Sequence, residues 1–273
     1  MIPRANIVEW ASRVHWPTLD QVEQDLVLAG VIVEIAKHPY LGEELVFRGG
    51  TCLHKFHLAP ALRYSEDLDY VRRSADGVGE LFDAVRVIGG RLGMEVQTAV
   101  SMQPKVFLRA PFESGRGTMR IKIEVNTHER SPARPLIRHP FTVSSPWFTG
   151  HAEVQTFRPE ELVATKLRAL YQRSKGRDLF DLWLARTRLG LSSAAIVECF
   201  APYRPEGYTP RLAEQNLRRK LGRSDFRNDL RPLVSEWPAD FDIDAAGQMI
   251  IDDVLALISQ RIGSSGNVDE AFS

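Results

Sequence analysis

Cysteine is scarce in this chain, whose 273 residues include only Cys52 and Cys199. Two cysteines cannot build a disulfide scaffold or a cysteine-rich zinc site, so we expect a reducing, cytoplasmic location. The sequence also lacks an uninterrupted apolar run of eighteen residues and an apolar leader, so we expect no membrane contact. Hydrophobic residues at 44% and charged residues at 26% are typical of globular proteins and exclude a chain that is mainly disordered.

Net charge is absent as well, because 35 basic residues balance 35 acidic ones. The charges are nevertheless unevenly distributed: residues 204–231 contain eight basic and four acidic residues, whereas the segment after Pro232 is acidic. Helix faces exposed to solvent would give the same charge pattern. The alternative is that residues 204–231 form a basic surface that binds the phosphate backbone of a nucleic acid. Its candidate helix carries Arg211, Arg218, Arg219 and Lys220.

Hydrophobic periodicity divides the chain into two parts. A helix is predicted from Thr18 to Lys37, with Thr18 and Gln21 as a capping box. Strand-like segments follow at Leu45–Phe47, Asp67–Val71, Glu95–Val100, Lys105–Arg109, Thr118–Asn126 and Glu153–Phe157. The four prolines of residues 131–150 predict an irregular segment. We therefore predict an α+β fold, in which residues 1–150 form a mixed sheet with flanking helices and residues 151–273 form an all-helical lobe.

Two aspartates provide the first candidate site. Asp67 and Asp69 are two apart on a predicted strand, so their carboxylates leave the same face and can converge on one pair of cations. Carboxylate oxygens are the ligands that Mg²⁺ prefers, and two such ions can assist a phosphoryl displacement. Upstream, a Gly49-Gly50-Thr51 turn opens a helix, whose backbone N–H groups would favour a triphosphate.

A later strand offers a third carboxylate. In the segment Ile121–Asn126 the apolar residues share one face, so Lys122 and Glu124 share the other. Glu124 is the candidate third metal ligand and general base. Lys122 and Ser65 are candidate phosphate contacts, although Ser65 is equally a turn residue.

The order of strand, glycine turn, helix and Asp-x-Asp strand resembles the nucleotidyltransferase fold related to DNA polymerase beta. With two later blocks, Glu160–Leu170 and Lys175–Trp183, the sequence resembles the AbiEii/AbiGii-type toxin nucleotidyltransferases of abortive-infection and type IV toxin–antitoxin operons. Sixteen residues separate Gly50 from Asp67, and this longer gap is typical of the toxin family.

The resemblance implies an enzyme that uses an NTP and Mg²⁺ or Mn²⁺. It implies that Asp67, Asp69 and Glu124 hold the metal, that Lys166 contacts the nucleotide phosphates and that Asp178 belongs to the active site. It also implies RNA, in particular tRNA, as the acceptor, pyrophosphate as the second product and an antitoxin protein as a partner.

Other functions are compatible with the same residues. The acceptor could be a protein side chain or a small molecule, or the chain could be a non-catalytic nucleotide-binding or antitoxin-binding protein. A metal-dependent nuclease would use the same carboxylates. The complete set of three carboxylates disfavours a non-catalytic protein, and the glycine turn disfavours a nuclease, because hydrolysis needs no triphosphate site.

Overall fold

The computed structural model describes residues 2–269, and the side chains of residues 2–262. The chain divides into two compact units. The first comprises Met1–Arg158 and Leu233–Ser235, and the second comprises Pro159–Pro232 and Glu236–Ser273. The main division thus falls at Pro159 and not at residue 150, because a strand that ends at Thr156 pairs within the sheet of the first unit.

The first unit is built on a seven-stranded mixed sheet. Its strands are Leu45–Arg48 (β1), Asp67–Arg72 (β2), Glu95–Ala99 (β3), Lys105–Pro111 (β4), Thr118–Asn126 (β5), Ile137–Ser144 (β6) and Thr149–Thr156 (β7). They lie in the order β3-β4-β5-β2-β1-β7-β6. The strands β2 and β5 are parallel neighbours, so the strands with the predicted carboxylates lie side by side.

The helices that accompany this sheet in the described part of the first unit are Arg4–Ala11 (α1), Leu19–Lys37 (α2), Leu41–Glu44 (α3), Gly49–Phe56 (α4) and Gly79–Arg91 (α5). The capping box predicted for α2 is confirmed, because the Thr18 hydroxyl accepts the Gln21 N–H and the Gln21 side chain accepts the Thr18 N–H. Most of α2 is buried, since it packs against α1, β5 and β7. Helix α1 was not predicted, because it buries only Ile7 and Trp10.

The prediction of an irregular segment across residues 131–150 is wrong, because β6 and the start of β7 lie there. Strand β6 forms one edge of the sheet and, within residues 2–269, pairs with β7 alone, antiparallel, with Pro140 opposite Glu153. An edge strand tolerates proline, since an N–H on its open side has no hydrogen bond in the sheet to lose. Pro140 is therefore compatible with an edge strand here.

The second unit is helical throughout its described residues. Its α-helices are Pro159–Gln172 (α6), Gly176–Thr187 (α7), Ser193–Phe200 (α8), Pro210–Leu221 (α9), Ser224–Asn228 (α10), Ile243–Ile250 (α11) and Ala256–Asp269 (α12). A π-helical turn, Ile251–Leu255, joins the last two. Apolar side chains fill its core, where Phe180, Trp183 and Phe241 pack together. None of the helices formed by residues 2–269 has the length and hydrophobicity that crossing a bilayer would require.

Candidate active site

Strands β2 and β5 bring the three predicted carboxylates together on one face. In the parallel register Asp67 lies opposite Lys122, and Asp69 lies opposite Glu124. All four side chains are partly exposed, whereas the alternate residues Leu68 and Ile123 are fully buried beneath them. The alternation predicted from the sequence therefore holds, and the register adds that Asp69 and Glu124 are direct neighbours.

Lys122 lies between two of these carboxylates. Its Nζ is 3.0 Å from Asp67 Oδ2 and 3.3 Å from Glu124 Oε2. Partial burial disfavours the charged lysine, but Asp67, Glu124 and Asp69 outweigh this effect and raise the pKa of Lys122 above its ordinary value. The ammonium therefore stays charged at neutral pH.

A second lysine, Lys105 on β4, reaches the same cluster. Its Nζ is 3.4 Å from Glu124 Oε2, and it lies opposite Glu124 in the antiparallel pairing of β4 with β5. Lys105 is not among the residues that the sequence pattern predicts for the site, although a signal was available. The hairpin loop around Ser114–Gly117 fixes which residues of the two strands face each other, and so places Lys105 opposite Glu124.

The glycine turn lies directly against Asp69. Gly49 starts α4 with φ +85°, a conformation that side chains disfavour, and a Cβ atom there would lie 2.3 Å from Asp69 Oδ2. The first N–H groups of a helix have no partner within the helix, and the helix dipole adds positive potential there. The start of α4 is thus placed beside the carboxylate cluster, as the sequence predicted.

Replacing Gly49 tests how tightly this turn is fixed. We expect Gly49→Ala to lower the free energy of unfolding by more than about 2 kcal/mol, because the positive φ alone costs about 1–2 kcal/mol and the new Cβ would also displace Asp69. Gly117→Ala is the matched control, since Gly117 has φ +90° and no described atom lies within 4 Å of its added Cβ. Urea denaturation measures both, and equal reductions would show that the contact with Asp69 adds nothing.

The hydroxyl groups near the turn make hydrogen bonds that stabilise the fold. The Thr51 hydroxyl donates to the main-chain carbonyl of Asp67 at 2.5 Å and lies 2.9 Å from the Ser65 hydroxyl, and Thr51 is buried. Arg63 is buried too, and a Cβ on Gly50 would lie 2.4 Å from its Nη2. These contacts brace the turn against the start of β2. Among the turn residues, the backbone N–H groups are therefore the better candidates for binding phosphate.

The fit of a divalent ion to this cluster rests on donor chemistry. Asp67, Asp69 and Glu124 supply the hard oxygen ligands that Mg²⁺ or Mn²⁺ takes, and two of them already bind a cation, the Lys122 ammonium. Within the described residues, however, no three His, Cys, Asp or Glu side chains are arranged as a ready metal site. The carboxylates suit the ion chemically, with Lys122 between two of them.

A second group of charges lies inside the helical unit. Lys166 on α6 is buried, and its Nζ is 3.0 Å from Asp181 Oδ2 and 3.6 Å from Asp178 Oδ1. Asp178 also accepts two hydrogen bonds from Arg173, at 2.7 and 2.8 Å. Both aspartates are fully buried on α7. The resemblance to the toxin family favours Asp178 over Asp181 as a site residue, yet Asp181 is the closer partner of Lys166.

Lys220 is also buried, so its assignment to an RNA-facing surface is wrong. Its Nζ donates to the main-chain carbonyls of Leu170 and Tyr171 at the end of α6. Burial lowers the pKa of Lys220 to about 8, against a smaller opposing effect of Asp178. The residue stabilises the packing of α9 on α6.

Ion pairs neutralise much of the basic stretch 204–231. Arg218 pairs with Glu214, Arg223 with Asp225 and Arg227 with Asp244. Arg211 and Arg219, both exposed on α9, have no ion pair among the described residues. They are eight residues apart with Gln215 midway, so the three side chains share one face of the helix.

The mixed sheet, the carboxylates on β2 and β5 and the adjoining glycine turn form the arrangement that the resemblance to nucleotidyltransferases implies. The sequence profile of the AbiEii family, the nucleotidyl transferase toxins of type IV toxin–antitoxin systems, matches residues 32–247. This protein therefore belongs to the AbiEii nucleotidyltransferase toxin family, and it is an enzyme of the nucleotidyltransferase class. No curated protein sequence matches the chain significantly.

Solved structures share the fold. The MenT4 nucleotidyltransferase toxin from Mycobacterium tuberculosis is 16% identical with a TM-score of 0.59, over 94% of this chain and 99% of that chain. JHP933 from Helicobacter pylori is 15% identical with a TM-score of 0.53, over 94% of this chain and 98% of that chain. The predicted family and fold class are confirmed, and membership of a toxin–antitoxin family implies an NTP substrate and an antitoxin partner.

Proposed function

We propose that this enzyme acts in the cytoplasm and transfers a nucleotidyl group from an NTP to the 3′ hydroxyl of an RNA, specifically a tRNA, and releases pyrophosphate. The observation that carries this proposal is the placement of Asp67, Asp69 and Glu124 on one face of the sheet, against the glycine turn that opens α4. A nuclease would need the carboxylates alone, whereas the turn adds a place for phosphates.

Each group has a distinct role in this proposal. Asp67, Asp69 and Glu124 hold Mg²⁺ or Mn²⁺, which would supply positive charge to the phosphates. The N–H groups of Gly49, Gly50 and Thr51 bind phosphate oxygens, and Lys122 adds a point charge. Ser65 remains a predicted phosphate contact, although its hydroxyl lies beside that of Thr51.

The reaction itself is a displacement at phosphorus. The acceptor hydroxyl oxygen forms a bond to the α-phosphorus, and the bond from that phosphorus to the bridging oxygen of the β-phosphate breaks. Glu124 accepts the hydroxyl proton as the general base, and the bridging oxygen leaves with pyrophosphate.

Two residues of the helical unit enter the proposal by family resemblance. Lys166 is expected to contact the nucleotide phosphates, and Asp178 is expected to belong to the active site. Their burial and mutual ion pairing support a fixed orientation of the lysine. Both assignments stay predictions.

The exposed arginines of α9 suit the phosphate backbone of the RNA acceptor. We expect Arg211→Ser with Arg219→Ser to weaken RNA binding and to reduce the slope of log K against log salt by roughly 0.7–0.9 for each phosphate that the variant no longer neutralises. Arg223→Ser is the control, because Arg223 is exposed but already paired with Asp225 at 2.7 Å. Binding of labelled tRNA between 50 and 200 mM salt (a range of the order used to resolve such slopes) measures the effect. An unchanged slope would remove α9 from the RNA surface.

One experiment tests the function as a whole. The protein is incubated with each α-labelled NTP, Mg²⁺ and total RNA, and the products are separated on a denaturing gel. We expect label in the tRNA band. Label in protein instead would indicate a protein acceptor, transfer only to added small molecules would indicate that class, and no label anywhere would contradict the proposal.

A further inference from the structure

Lys122 occupies the position at which the carboxylate cluster would receive a cation. Its ammonium contacts Asp67 and Glu124 at 3.0 and 3.3 Å, and both contacts follow from the register of β2 with β5. The lysine lies on the same strand as Glu124, so its side chain begins beside the cluster.

We propose that Lys122 is a displaceable counter-ion, which competes with a divalent cation for Asp67 and Glu124 and moves to the phosphates when the NTP binds. This inference rests on the proposed function, since it takes the carboxylates as metal ligands. It predicts that the protein binds a divalent ion weakly by itself and much more tightly together with the nucleotide.

Charge and flexibility support this role. Three carboxylates attract a divalent ion strongly, but an ammonium within 3.3 Å of two of them repels that ion and neutralises part of the attraction. The lysine side chain is 28% exposed on a flexible four-carbon stem, so it can leave the carboxylates without disturbing the core. Lys166, which is buried between Asp178 and Asp181, lacks that freedom.

Lys105 provides a matched comparison within the same cluster. It is also a strand lysine, but its one ion pair among the described residues is with Glu124, at 3.4 Å, and its side chain is 36% exposed. Its removal should therefore affect binding of a divalent ion much less than removal of Lys122.

The test measures Mn²⁺ binding to the whole protein by the electron paramagnetic resonance signal of the free ion, without nucleotide. We expect Lys122→Met and Lys122→Gln each to bind Mn²⁺ at least about tenfold more tightly than the wild type. Lys105→Met should gain at most about threefold, and Lys122→Arg should match the wild type, because it keeps the charge. Asp67→Asn in the Lys122→Met background should weaken the binding, which places the ion at this cluster.

A second measurement adds a non-hydrolysable triphosphate. It should tighten Mn²⁺ binding more in the wild type than in Lys122→Met, because only the wild type has Lys122 to remove from Asp67 and Glu124.

Equal or weaker Mn²⁺ affinity in both neutral variants would overturn this inference and leave the proposed function intact. Absence of Mn²⁺ binding in every variant, with and without triphosphate, would overturn the metal assignment itself.

Discussion

Replacing Asp67 or Asp69 with asparagine is expected to abolish nucleotide transfer, with a fall in kcat of at least about 10³-fold. Asparagine keeps the shape of the side chain but removes the charge that, in the proposed function, would hold a divalent ion. Both aspartates are only half-buried on β2, and the adjacent Leu68 and Tyr70 supply the core contacts. The fold should therefore survive either substitution.

These variants should lose little stability. Asp67→Asn removes an ion pair with Lys122 in which both side chains are partly exposed, 40% and 28%, so we expect a cost of about 1 kcal/mol or less. Nucleotide transfer is measured with labelled NTP at saturating Mg²⁺, and the free energy of unfolding is measured by urea denaturation. Glu124→Gln should act in the same direction. Glu95→Gln, on the exposed edge strand β3, is the control that should keep full activity. Near-normal transfer by either asparagine variant would refute the metal assignment.

Local sequence signals determined much of the fold in advance. The capping box placed the start of α2, and the alternation in residues 118–126 gave both ends of β5. Each of these features depends on neighbouring residues alone. The edge strand β6 could not be predicted in this way, because whether a proline interrupts a strand depends on which side of that strand is paired.

The strand faces of the candidate residues could be predicted from the sequence, but their contacts could not. Faces of single strands placed Asp67, Asp69 and Glu124, yet the contact of Lys122 with Asp67 depends on the parallel register of two distant strands. Sequence spacing does not encode that register. Lys220 shows the same limit, because a lysine among arginines on a polar helix gives no local sign that its ammonium is buried against carbonyl groups of another helix.

The second prediction with a large expected effect concerns the stability of the helical unit, where Lys166 is buried with two aspartates. Lys166→Ala is expected to lower the free energy of unfolding by about 3–5 kcal/mol, because it leaves Asp181 fully buried without the ammonium at 3.0 Å. Lys175→Met is the control. Lys175 is 48% exposed and pairs with Asp229 at 3.4 Å, so its replacement should cost about 1 kcal/mol or less. Urea denaturation compares the two, and equal costs would show that the Lys166 pair does not stabilise the fold.

Because Lys166 is expected to stabilise the fold, its contact with the nucleotide needs a test that does not depend on stability. A weaker NTP affinity in Lys166→Ala would also follow from partial unfolding, so the alanine variant alone does not identify a phosphate ligand. The double variant Lys166→Met with Asp181→Leu removes both charges, and its reduction in stability should be clearly smaller than the sum of the two single reductions. If Lys166 contacts the triphosphate, this folded variant should still bind NTP at least about tenfold more weakly, since a charge-assisted contact with phosphate is worth about 1.5–3 kcal/mol. An unchanged NTP affinity in titration calorimetry would leave Lys166 as a residue of the fold alone.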